Sequence, residues 1–116
     1  MPAIPPNPAL KNLVDALGED DTREVVLMFL RDFPPMLQKI GAGDREEAQR
    51  LAHSLKSSSH HMGAATLARR LAALEDRLGQ PGSAVTHDDL EMLAAEFDNA
   101  AGPLRAYTRI ERTAGP

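Results

Sequence analysis

The sequence has no cysteine and no tryptophan, and only four other aromatic residues: Phe29, Phe33, Phe97 and Tyr107. Without cysteine there can be no disulfide, no thiolate nucleophile and no sulfur-ligated metal. No apolar run reaches the length of a membrane span, and no charged start leads into an apolar signal segment. The default reading is a soluble, cytoplasmic protein that does not insert into a membrane. No charge sign dominates, since 13 basic and 17 acidic residues are interspersed and leave a net charge of −4. That balance argues against nucleic acid as a partner held by bulk electrostatics. No acidic pair sits in a recognisable catalytic motif, and nucleophile elbows and phosphate-cradling glycine loops are missing, which leaves hydrolytic and metal-dependent enzymes with little support.

What the chain does have is leucine and alanine at helical spacing. Its 116 residues suit one domain large enough to bury a core. Residues 1–8 carry four prolines and read as an extended arm, 9–110 as the folded domain, and 111–116 as a flexible tail. Five helical segments are expected. The first covers about Pro8 to Leu17, with Leu10, Leu13, Val14 and Leu17 on one face, and Gly18 ends it. Asp20 or Asp21 is a candidate cap for the second, whose stripe is Val26, Phe29, Leu30, Phe33, Leu37 and Ile40. Pro34-Pro35 inside that stripe predicts a kink or a break.

Asp44 should cap a third helix that buries Ala48, Leu51, Ala52, Leu55, Ser59 and Met62 and stops at Gly63. The fourth carries Leu67, Leu71, Leu74 and Leu78. The fifth, capped by Thr86, carries Leu90, Leu93, Phe97, Ala101 and Leu104, with a bend expected at Gly102-Pro103. Short connections make neighbouring helices antiparallel. The expected fold is therefore all-α, an antiparallel up-down four-helix bundle with an additional short N-terminal helix.

The third helix also has an outer face. At about 100° per residue, His53 lies opposite the Leu51–Leu55–Met62 stripe and points to solvent, with Ser57 and His60 on the same face and Lys56 on its flank. Helical side chains lean toward the N-terminus, so positions 56 and 57 cover the space beside the His53 ring. Lys56 brings an ammonium group there, and Ser57, being small, leaves the imidazole accessible. These are requirements of nucleophilic phosphoryl transfer. A neutral imidazole is a usable nucleophile near pH 7, and a lysine offsets charge on the transferring group. One ring nitrogen needs an acceptor for its proton while the other attacks. An antiparallel third and fourth helix would place Glu75 level with His53, where it could orient the ring or pair instead with Arg50.

The run His53-Ser54-Leu55-Lys56-Ser57-Ser58-Ser59-His60-His61-Met62-Gly63-Ala64 closely resembles the signature of the histidine-containing phosphotransfer (HPt) family. Leu74-Glu75 resembles a recurring feature of that family, an acidic or amide side chain on the facing helix. The likeness extends over roughly Ala9 to Tyr107, and the twelve-residue run is its specific part. It implies a phosphorelay carrier in two-component signalling. His53 would accept a phosphoryl group from the aspartyl phosphate of a receiver domain and pass it to another receiver, with response regulators or a hybrid sensor histidine kinase as partners. Family members generally bind no ATP and have no cofactor of their own; Mg2+ comes from the receiver. One departure is Ser57, where the family most often has glycine. The alternative reading is a docking module of the same fold that binds a receiver or kinase without being phosphorylated.

Other features fit less clearly. His60 lies about 10 Å along the axis from His53, too far for the two to chelate one metal unaided. Arg45, Arg50, Lys56, Arg69, Arg70 and Arg77 form a basic group that either attracts an acidic partner or is simply a solvated face. Val25, Leu27 and Met28 exceed what the second helix's core stripe needs. Either the first helix covers them or they form an apolar patch on which a partner docks.

Overall fold

The computed structural model describes residues 4–113, the last four by backbone alone; the outermost residues of the expected arm and tail, 1–3 and 114–116, lie outside the described residues. Five helices follow one another: α1 (Pro8–Leu17), α2 (Glu19–Ala42), α3 (Arg45–His61), α4 (Ala65–Leu78) and α5 (His87–Thr113). Among the described residues there is no strand. α2 packs on α3 and α5, and α4 also packs on α3 and α5, so the four close a ring while α1 lies against α2 and α3. This is the all-helical bundle with a short leading helix that the periodicity predicts.

The core is built from the stripes read from the sequence, although Leu30, Leu37, Leu51 and Leu90 are only partly buried and Leu17 of the first stripe is exposed. Val26, Phe29, Phe33 and Ile40 of α2 meet Ala48, Ala52 and Leu55 of α3, Leu67, Leu71, Leu74 and Leu78 of α4, and Leu93, Phe97, Ala101 and Leu104 of α5. Phe33 stacks on Phe97 with ring centroids 4.3 Å apart, and Phe29 sits against both. Each such leucine contributes about 1.5–3 kcal/mol of transfer free energy.

Three places bear on the local expectations. α2 is not capped by Asp20 or Asp21. Gly18 adopts φ +86°, closes α1 with its N–H on the Val14 carbonyl and starts α2 at once. Glu19, Asp20 and Asp21 therefore fall in the first turn, where their charge meets the positive end of the helix dipole. Second, α2 does not break at Pro34-Pro35. Both prolines are exposed, and Phe33, Leu37 and Ile40 hold this turn to the core from the other side. Third, α5 runs on as helix past Gly102-Pro103 to Thr113, with buried Ala101, Leu104 and Tyr107 on either side of the exposed pair.

The end of the proline-rich arm is tied to the bundle. Asn7 accepts the Leu10 N–H at 2.8 Å, capping α1, and donates its side-chain amide to the Met62 carbonyl at 2.9 Å. α1 leaves Leu27 and Met28 exposed, while Val25 is half-buried against the core. No helix among the described residues is long and apolar enough to cross a membrane.

Candidate functional site

α3 begins where Asp44 accepts the Glu47 N–H at 2.8 Å. Its buried residues, Ala48, Ala52, Leu55 and Ser59, fix the rotation of the helix about its axis. That rotation turns His53 outward, with 63% of its side chain exposed. α4 is fixed in the same way by its four leucines, and Glu75, next after the buried Leu74, falls on the seam between the two helices. The Gly63 turn joins them, with φ +75° at the glycine.

Across this seam His53 Nδ1 lies 2.7 Å from Glu75 Oε2, and the Lys56 ammonium donates to Glu75 Oε1 at 2.7 Å. One carboxylate thus serves both α3 side chains and does not pair with Arg50. The Lys56 hydrogen bond holds the Glu75 carboxyl below the usual carboxylate range. Partial burial opposes this, and the hydrogen bond from His53 adds to it. An ionised Glu75 at Nδ1 favours the tautomer with the proton on that nitrogen. The lone pair is then on Nε2. Glu75 is the only hydrogen-bonding partner of the His53 ring among the described residues.

Ser57 is exposed one turn after His53. His53, Lys56, Ser57 and His60 form one wall of an open trough, and Ala65, Ala68, Arg69 and Ala72 of α4 form the other. The alanines are a part of the site that sequence reasoning missed. Their i, i+3, i+7 spacing marks a small-sided face, but only the packed hairpin shows that it lies beside His53. His61 turns to the opposite flank of α3 and lines a second hollow with Met28, Phe29, Met36 and Met62. The exposed Met28 thus belongs to a depression between α2 and α3.

An exposed imidazole with one nitrogen held by a carboxylate, a cation on the same carboxylate and no bulky side chain at the next turn can act as a nucleophile toward an anionic electrophile. No curated protein and no solved structure matches the chain. The family model of the Hpt domain matches residues 24–103, which take in α3, α4, the turn between them and most of α2 and α5. The match spans well over half the sequence and contains all of the site residues, so the chain belongs to the Hpt family.

Proposed function

We propose that this protein carries a phosphoryl group on His53 in a multistep two-component phosphorelay. Membership of the Hpt family makes it a phosphotransfer module of two-component signalling. The donor and acceptor in this reading are receiver domains bearing an aspartyl phosphate, of response regulators or of a hybrid sensor kinase. The observation that supports it best is the 2.7 Å contact between Glu75 and Nδ1 on a ring that is otherwise open to solvent.

In the forward step the Nε2 lone pair attacks phosphorus. The N–P bond forms as the P–O bond to the aspartyl carboxylate breaks, and the carboxylate leaves with that electron pair. No proton need move, because Nδ1 keeps its own. The product ring is cationic, and the ionised Glu75 stabilises it. Reversal toward another receiver expels a neutral imidazole, a better leaving group than imidazolate. Lys56 offsets charge on the phosphoryl oxygens from its place beside Glu75, and Ser57 leaves a path for the incoming group. The partner receiver supplies Mg2+, and this chain contributes no cofactor. The relay reading carries a cytoplasmic location with it.

The test is incubation with a phosphorylated receiver domain, scoring label that is acid-labile and alkali-stable. His53→Gln should abolish it. Label that persists in His53→Gln would remove His53 from the role. A receiver that binds the wild type while His53 stays unlabelled would establish the docking module instead.

A further inference from the structure

The six basic residues that the sequence groups together are not equivalent in the fold. Arg45 donates to the Leu78 carbonyl at 2.8 Å, Arg70 lies 3.7 Å from the Glu96 carboxylate, and Arg77 is paired with Asp89. Lys56 is committed to Glu75. Among the described residues Arg45, Arg50 and Arg69 have no carboxylate partner, and of these three only Arg69 lines the trough that contains His53. Its one hydrogen bond among the described residues is to the neutral Thr66 hydroxyl, at 3.2 Å.

The charges of the trough then add up simply. Lys56 and Glu75 cancel, and Arg69 adds a positive charge that no carboxylate among the described residues offsets, on a protein whose formal total is −4. An aspartyl phosphate presents about two negative charges at the surface of its carrier. Arg69 is also set apart from the chemistry. It precedes Glu75 by six residues on α4, about 9 Å along the axis, so its backbone stands more than one helical turn from the Glu75–His53 contact.

We infer that Arg69 is the docking and specificity determinant for the anionic rim of the phosphorylated partner, acting on encounter and not on the transferring group. The inference rests on the relay reading above. The small side chains of the wall formed by Ala65, Ala68 and Ala72 let the partner surface come close enough for one cation to be felt. A charge at the edge of an interface acts mainly on association rate and on its salt dependence.

The experiment compares Arg69→Ala with Arg70→Ala, an adjacent change of equal charge on the flank of α4 that faces α5. The probe is whichever phosphorylated receiver labels the wild-type protein fastest. Phosphoramidate, a small donor that needs no docking surface, is used in parallel. Arg69→Ala should raise the receiver concentration for half-maximal transfer by about tenfold and flatten its dependence on salt. The rate at saturating receiver and the rate of labelling by phosphoramidate should change by less than about threefold. Arg70→Ala should leave all of these near wild type. Equal behaviour of the two variants would overturn the assignment, as would a loss of phosphoramidate labelling in Arg69→Ala, which would place Arg69 on the phosphoryl group. If no receiver labels the wild type, the relay reading itself fails, and this inference with it.

Discussion

Asn7 occupies the space that a side chain at Gly63 would need: a Cβ there would fall 2.2 Å from the Asn7 side-chain carbon and oxygen. The turn between α3 and α4 therefore requires glycine for two reasons, its φ of +75° and the amide seated against it. Gly63→Ala should cost about 1–3 kcal/mol in a urea titration, because it strains the backbone and evicts Asn7 from its bonds to Met62 and Leu10. Asn7→Ala alone should cost about 1 kcal/mol for the lost cap. The double variant should lose less than the two single losses added together, since Asn7 is evicted in one and absent in the other. Strict additivity would show that the two sites are independent.

Glu75→Ala removes the acceptor that faces Nδ1 and the partner of Lys56 together. The Nδ1–H tautomer of His53 should lose its preference, and transfer from a receiver should slow by about ten- to a hundredfold. Nitrogen-15 shifts of the ring report the tautomer directly, independently of any effect on folding. An unchanged tautomer ratio would remove Glu75 from the orienting role.

Two carboxylates link folding to acid. Glu75 is held below its ordinary range mainly by Lys56. Asp89 is raised by burial, but Arg77 and the Thr86 backbone and hydroxyl together outweigh this and hold it low as well. A carboxyl with a depressed folded-state pKa stabilises the native state above its unfolded value and loses that contribution as pH falls through the folded value. Urea midpoints should therefore fall between about pH 5 and about pH 3, and Asp89→Asn should make that fall shallower. An identical slope in the variant would mean that Asp89 is not linked to folding.

Ser57→Leu should obstruct the approach to His53 while leaving the fold alone, since position 57 faces solvent. Transfer from a receiver should drop at least about tenfold, with the thermal midpoint within about 2 °C of wild type, as for other surface changes. Equal transfer rates in the two proteins would show that a small residue is not needed for access.

Much of this was legible in sequence because burial follows helical period. The stripes of α2 to α5 build the observed core, and the same periodicity turned His53 outward and set Glu75 on the seam. Sequence reading went wrong where one residue did two jobs. Gly18 closes α1 and opens α2 together, so the acidic residues beyond it lie in the first turn and do not cap it. Pro34-Pro35 predicts a kink or a break because propensity is local; no break occurs, since Phe33, Leu37 and Ile40 hold that turn through contacts distant in sequence. The state of each cation could not be read at all. Whether Lys56 or Arg69 is neutralised depends on which carboxylate the fold brings within about 4 Å, and no spacing along the chain encodes that.

His53, Lys56, Ser57 and Glu75 all lie on α3 and α4, within 23 consecutive residues and across one tight turn. The proposed chemistry is thus housed in a single hairpin, while α2 and α5 support it from behind. Substitutions on the outer faces of those supporting helices can accumulate without shifting the carboxylate from the imidazole. The back of the bundle can thus be rebuilt while the hairpin at its front stays in register.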